Sequence, residues 1–369
     1  MLRRGCFAIL LLFCSGDSFA GIVLDFSHDT STDNFFGMSS SDSIAAKAAV
    51  QQAAADISAV LFGPSTLTPV TMDSVSGTSN SAMVTGNVDW SYTNPSTGAT
   101  ENIPDVSTVN LANNEIKIFV GMQELSGMTL GQGGPGSIGI STSVSYSNSS
   151  DIPGAITAFE MAANAEYGRG NAMIIGTTSG TLGGNPIAVN HGVTIGTLWF
   201  DIDTDNDGVS DLAPSDTNAD PSDTWHFDHT TSVASGKIDL YSVALHEILH
   251  AVGAGTSDSW DALASTDTWA GTEANGTMLD LDDNGTTYSH IASGTMSTVF
   301  NGAGTQEAVL TPSISAGERR FLTNLDVAMI RDIGLVAVPE ASSFAMLGLI
   351  AFCFGTKSVW NVYLSLIHI

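Results

Sequence analysis

The spacing of apolar and polar residues predicts helices and strands in mixed order along the chain. Residues 42–61 form a long alanine-rich stretch without Gly or Pro, which predicts a helix. Residues 115–120 alternate between polar and apolar side chains and predict a strand, as do residues 196–202. Further helices are predicted at three places: 154–167, 239–252 and 323–333.

Two stretches between these elements are dominated by small polar residues. Residues 63–110 combine Ser, Thr, Gly and Asn with Val and Trp, which predicts short strands joined by turns. Residues 126–150 are rich in Gly and Ser, and we expect 131–136 to form a loop. This loop lacks the Lys-Ser/Thr pair of a phosphate-binding loop, so we assign it no ligand. The predicted order of elements indicates the α+β fold class: a helix, several strands, a helix, loops and a final helix.

The composition excludes several classes of function. The chain of 369 residues carries a formal net charge of −28 at pH 7. Such a charge repels phosphate backbones and anionic membrane surfaces, so we expect no nucleic-acid partner. Hydrophobic residues make up 43% of the chain and charged residues only 13%, which indicates a protein with a buried core. A surface rich in hydroxyl, amide and carboxylate groups suits an exported protein.

The first residues of the chain have the pattern of a secretory signal peptide. Residues 1–20 contain two arginines, a short apolar core at 7–13 and a small-x-small cleavage site at 18–20. Two of the three cysteines lie in this segment and the third lies near the C-terminus. The mature domain, 21–337, therefore has no cysteine, which excludes disulfides, cysteine zinc ligands and a thiol nucleophile.

The C-terminal segment, 338–369, resembles the PEP-CTERM sorting signal of exported proteins of Gram-negative bacteria. It has a Val-Pro-Glu start at 338–340 followed by an apolar, membrane-type run at 344–354, but only Lys357 in place of the basic cluster. Residues 364–369 match a frame of a common sequencing adapter, so we expect a truncated tail with an artefactual end. The resemblance implies contact with the export and sorting machinery and delivery to the cell envelope, the surface or the medium.

The strongest chemical motif is His246-Glu-Ile-Leu-His250, followed by Gly253. On a helix, positions i and i+4 lie on one face, so both imidazoles can bind one zinc ion. Glu247 lies beside them and can take a proton from water at the metal. Gly253 can end the helix because glycine tolerates a positive φ. Spacing, residue types and helix context together predict a zinc site.

Residues 242–253 resemble the active-site helix of metzincin metallopeptidases, especially those of the matrixin type. Segments 225–228 and 237–240 are similar to the region before that helix, and 322–334 resembles the closing helix of the family. The resemblance implies a metzincin-like domain over 21–337, with a mixed sheet, an active-site helix, a C-terminal helix and a cleft near 253–254. It also implies a zinc metalloendopeptidase, a hydrolase that acts on proteins or peptides with Glu247 as general base.

This chain departs from the family pattern at the third zinc ligand. Thr256 stands where the family has His or Asp three residues after the glycine. Two replacements remain open, Asp258 and His290, of which His290 suits zinc better because it supplies an imidazole. A late histidine followed by a methionine is similar to the leishmanolysin-type members of the family. This likeness implies that Met296 forms an apolar floor under the metal.

A second motif predicts a calcium site. Its carboxylates come from Asp203, Asp205, Asp207 and Asp211, with a glycine at the sixth position of the loop. Alternating carboxylates around a turn can wrap oxygen atoms around Ca²⁺. The glutamate that closes an EF-hand loop at position 12 is absent, which favours a single-loop structural site.

Two rival functions follow from the same residues. One is a catalytically inactive metzincin-like protein that binds partners at the surface or in a matrix, which Thr256 and the sorting tail motivate. The other is a calcium-stabilised adhesive structural protein, which the Asp-rich loop and the abundant Gly, Ser and Thr motivate. The presence of Glu247 favours the zinc endopeptidase, because a scaffold that only holds zinc needs no general base.

Overall fold

The computed structural model describes residues 21–27, 29, 34–61, 67–103, 105–109, 111–127, 129–170, 173–203, 207, 224–281 and 285–335. The predicted signal peptide and the predicted sorting tail lie outside these residues. Among the described helices, none is both long and apolar enough to cross a bilayer.

Helices and strands alternate along the described chain. The helices are Ser41–Leu61 (α1), Ile152–Tyr167 (α2), Leu240–Ala251 (α3), Asp258–Asp261 (α4) and Asn324–Asp332 (α5). The longer strands are Ile22–Asp25 (β1), Ser74–Ser79 (β2), Ala82–Thr93 (β3), Thr100–Ile103 (β4), Ile116–Gln123 (β5), Gly131–Pro135 (β6), Ser137–Tyr146 (β7), Gly176–Leu182 (β8), Asn185–His191 (β9) and Ile195–Asp201 (β10). Short strands follow: Trp225–His226 (β11), Ile238–Asp239 (β12), Leu279–Asp280 (β13), His290–Ile291 (β14), Met296–Thr298 (β15) and Thr305–Glu307 (β16). This mixture confirms the α+β class.

A four-stranded sheet in the order β1-β5-β10-β6 carries the main core. Strands β1, β5 and β10 run parallel, and β6 pairs antiparallel with β10 at the edge. Strand β10 is buried along its whole length, as expected for an inner strand covered on both faces. Helix α3 packs against β10 and β6, and α1 packs against α3 and β1. The sheet thereby fixes the position of the helix that carries the zinc motif.

A second sheet lies beside the first, in the stretch predicted to form strands and turns. Strands β2 and β4 pair with successive parts of β3, and β7 pairs with β3 over Ala82–Ser91. Helix α2 covers this sheet, and its Phe159 packs so closely that a side chain at Gly77 would overlap its backbone nitrogen. The hairpin β8–β9 packs on α2 and closes a second hydrophobic core.

The Gly-rich segment predicted to be a loop is a strand. Residues Gly131–Pro135 form β6, which pairs with β10 and lies against α3. A Cβ atom at Gly133 would overlap the carbonyl oxygen of Glu247 and lie 3.0 Å from its Cα. Glycine at position 133 is therefore required by the close approach of the strand to the helix, and not by a turn.

Candidate metal centre

Helix α3 begins and ends at residues that suit those positions. Asp239 caps its first turn by accepting hydrogen bonds from the backbone nitrogen and the hydroxyl of Ser242, at 3.2 and 2.6 Å. The helix ends before Gly253, whose φ of +112° fits the expectation that a glycine ends it. Buried apolar side chains hold the helix in the main core.

Three imidazoles, two from α3 and one from β14, converge at one point. Nε2 of His250 lies 3.0 Å from Nε2 of His246 and 3.2 Å from Nε2 of His290, which β14 carries. Three nitrogen ligands around one tetrahedral zinc ion are about 3.3 Å apart, given bond lengths near 2.0–2.1 Å. Within the described residues, these three histidines form a group that could bind a metal ion. The ligands predicted from the sequence are thus brought together.

The other ring nitrogen of each histidine is held by the fold. Nδ1 of His246 donates to the carbonyl oxygen of Val309 at 2.7 Å, and Nδ1 of His250 donates to that of Ala254 at 2.7 Å. Nδ1 of His290 lies 3.0 Å from the hydroxyl of Ser289. A carbonyl acceptor on Nδ1 leaves the proton there and the lone pair on Nε2, so the rings of His246 and His250 are ready to bind a cation.

Burial favours the neutral form of two of these imidazoles, those of His246 and His250. The pKa of His246 is well below its usual value because the ring is buried, and the neighbouring rings of His250 and His290 lower it further. Burial also lowers the pKa of His250. Neutral imidazole is the form that binds a metal, so the donor set fits zinc in charge as well as in geometry.

Glu247 follows His246 on α3, and its side chain lies against the edge strand β6. Its side chain is buried, and a backbone hydrogen bond connects it with Gly133. Burial raises the pKa of Glu247 to about 8, and the bond to Gly133 acts in the opposite direction. A carboxylate beside three metal-type ligands and a strand edge is suitably placed to exchange protons with water at the site.

The alternative third ligand, Asp258, is not part of the group. It begins α4, and its Oδ2 accepts a hydrogen bond from the hydroxyl of Thr177 on β8 at 2.9 Å. Thr256, at the ligand position of the family pattern, donates its hydroxyl hydrogen to the carbonyl oxygen of His250 at 2.7 Å. Both residues stabilise the turn after α3, and the structure favours His290 over Asp258.

The expectation that Met296 forms an apolar floor is wrong. Its side chain is 59% exposed on β15, which pairs with β16, whereas a floor under the metal would be buried. The buried residues Val309 and Leu310 lie below the site instead, and Val309 accepts the hydrogen bond of His246. A lone methionine at a strand position says little about burial, which explains the error.

The predicted calcium loop is described only in part. Asp203 is buried, and its Oδ1 accepts a hydrogen bond from the backbone nitrogen of Asp207 at 3.2 Å. The other two predicted ligands, Asp205 and Asp211, lie outside the described residues. The nearby Asp201 is also buried, which raises its pKa to about 6.

Several residues that shape the site were not predicted. They are the backbone of β6, the carbonyl groups of Ala254 and Val309, and Asp326 at the start of α5. Only Asp326 leaves a trace in the sequence, because Thr323-x-x-Asp326 has the form of a capping box. The others act through their backbone, which residue identity does not reveal.

Comparison of the chain with models of known protein families, with curated proteins and with solved structures finds no match. The functional argument therefore depends on the site itself.

Proposed function

We propose that this protein is an exported zinc-dependent endopeptidase of the metzincin type. The observation that supports it best is the convergence of three histidine Nε2 atoms beside a buried glutamate on the same helix. Imidazole donors with protonated, carbonyl-bound Nδ1 atoms suit zinc, and three protein ligands leave a position open for water or substrate. His246, His250 and His290 would hold the ion.

Bound zinc would supply Lewis acidity toward water and toward the carbonyl oxygen of a peptide bond. Glu247 accepts the proton of the attacking water and passes it to the amine nitrogen of the leaving group. The burial of Glu247 favours this proton transfer, because a carboxyl group with a raised pKa takes up and releases protons near neutral pH.

The edge strand β6 provides a way to hold the substrate. It is the last strand of its sheet and lies next to Glu247, with Gln132 and Pro135 as its only side chains. An extended peptide can pair with the backbone of such an edge strand. This pairing would place a peptide bond next to the imidazoles and Glu247.

The burial of Glu247 counts against the two non-catalytic rivals. Burying a carboxylate without a cationic partner costs free energy, and within the described residues no Lys or Arg forms an ion pair with it. A surface-binding or adhesive protein gains nothing from this arrangement, whereas a hydrolase uses it. The observation therefore favours the enzyme.

The test compares residues 21–337 of the wild type with Glu247→Gln, a variant of nearly the same shape. Both are analysed for zinc and calcium and then incubated with unfolded proteins and peptide libraries. We expect about one zinc per chain in both, and peptide cleavage by the wild type that drops about 10²–10⁴-fold in the variant. Zinc-loaded wild type that cleaves no peptide bond would refute the endopeptidase. An active variant would refute the role of Glu247.

A further inference from the structure

One short backbone segment joins the two parts of the metal centre. The carbonyl oxygen of Val309 accepts the Nδ1 hydrogen of His246 at 2.7 Å. The carbonyl oxygen of Leu310 accepts a hydrogen bond from the backbone nitrogen of Ile291 at 2.9 Å, next to His290 on β14. Residues 309–310 thus contact both the active-site helix and the strand that supplies the distant third histidine.

Asp326 holds this segment from the other side. Its Oδ2 accepts from the backbone nitrogen of Val309 and its Oδ1 from that of Leu310, both at 3.1 Å. Oδ2 also accepts from the backbone nitrogen and the hydroxyl of Thr323, at 2.8 and 2.7 Å. The side chain is fully buried, so water cannot replace these contacts.

The peptide group between Val309 and Leu310 connects Asp326 with His246 directly. Its N–H donates to Asp326, and its carbonyl oxygen accepts from the imidazole of His246. Hydrogen bonds arranged in such a chain polarise one another, so a carboxylate at one end strengthens the acceptor at the other. A stronger acceptor at Nδ1 makes Nε2 a better metal ligand.

We propose that Asp326 is a positioning residue of the metal centre, which orients His246 through the Val309–Leu310 peptide and aligns β14 with it. The inference rests on the proposed function only in taking the three histidines as metal ligands. It gives the C-terminal helix α5 a role in metal binding that its position outside the zinc motif does not suggest.

The test uses Asp326→Asn and a matched control, Thr323→Ala. In asparagine an NH2 group replaces one of the two carboxylate oxygens, and this group cannot accept a hydrogen bond from a backbone N–H. The Val309–Leu310 peptide therefore loses its anchor. The control removes the hydroxyl that caps α5 but leaves both contacts from Asp326 to residues 309 and 310. Zinc affinity is measured by competition with a chromophoric chelator, and ligand geometry by the visible absorption of bound Co²⁺.

We expect Asp326→Asn to weaken zinc binding about 10–100-fold, the range typical of outer-shell residues, and to change the Co²⁺ spectrum. Thr323→Ala should lower the thermal unfolding midpoint and leave both readouts unchanged. If Asp326→Asn does not fold, Asp326→Glu takes its place, because it keeps the charge and displaces the oxygens. A folded variant with wild-type zinc affinity and spectrum would overturn the proposal. A wild type that binds zinc but cleaves nothing would refute the endopeptidase alone.

Discussion

The second core contains a buried histidine that should make the protein sensitive to acid. His191 ends β9 with only 4% of its surface exposed, and its ring lies 6.1 Å from that of Trp90. Neither ring nitrogen makes a hydrogen bond of normal geometry among the described residues, and the backbone contacts with Gly136 and Gly176 only partly offset the effect of burial on the pKa of His191. Burial lowers the pKa of His191 to about 4, although the negative charge of Asp258 acts in the opposite direction.

The direction and size of the effect follow from proton linkage. In the unfolded chain His191 takes up a proton near pH 6.5, whereas in the folded protein it stays neutral down to about pH 4. Between these values the unfolded state binds more protons, so the free energy of unfolding falls as the pH falls. A shift of this size corresponds to about 3 kcal/mol, most of it lost by pH 4.5.

The assay is urea unfolding of the wild type and of His191→Leu between pH 7 and pH 4.5. A chelator is present throughout, because acid also releases metal from imidazole ligands. Leucine fills a similar volume and sacrifices no hydrogen bond. We expect the wild type to lose about 2–3 kcal/mol more than the variant on acidification. His226→Leu, which removes a histidine hydrogen-bonded to the carbonyl group of Asp228, serves as the control. Equal pH dependence in wild type and His191→Leu would refute the reasoning.

Two further predictions concern the site. His290→Ala should abolish tight zinc binding, while Asp258→Ala should keep it, and chelator competition distinguishes them; the opposite result would make Asp258 the third ligand. Gly133→Ala should lower the free energy of unfolding by about 1–3 kcal/mol and impair peptide cleavage, because its Cβ overlaps Glu247. Gly134→Ala, whose Cβ meets no atom within 4 Å, is the matched control and should be nearly neutral in denaturant titration.

The spacing and composition of apolar residues predicted the four longer helices, but not the short helix α4. The predicted helix over 239–252 is observed as Leu240–Ala251, and that over 323–333 as Asn324–Asp332. Both begin after a residue that caps the first turn, Asp239 and Thr323, so local chemistry fixes where they start. The alanine-rich helix is observed as Ser41–Leu61, one residue longer than expected.

Strand β6 shows where local patterns fail. Its sequence, Gly-Gln-Gly-Gly-Pro, has neither alternation nor β-branched residues, and glycine is rare inside strands. Pairing with β10 and the close approach of α3 make it a strand, and both partners are distant in sequence. Intrinsic preference predicts a loop here, whereas the tertiary contacts decide the outcome.

In the candidate metal centre, too, local spacing predicts part of the arrangement and tertiary contacts decide the rest. The spacing of His246 and His250 is set by the period of one helix, so the sequence alone predicts their shared face. The arrival of His290 depends on β13–β14 pairing and on the contact of Ile291 with Leu310, neither of which spacing reveals. Chemical reasoning about zinc ligands favoured His290 over Asp258, but it could not supply this geometry.

The contributions of Val309 and Asp326 to the site were missed for a common physical reason. A metal ligand can be recognised in the sequence by its side chain. The groups that orient the ligands here are peptide carbonyls, which every residue has. Val309 acts through its carbonyl oxygen, so its identity carries no signal. Among the described residues, the Asp326 side chain accepts the hydrogen bond of this peptide's N–H, and the Thr323-x-x-Asp326 pattern by itself indicates only a helix cap. The residues that orient a metal ligand can therefore be found from the hydrogen bond of its second ring nitrogen. That bond leads to a peptide group, and the peptide group leads to the buried carboxylate that holds it.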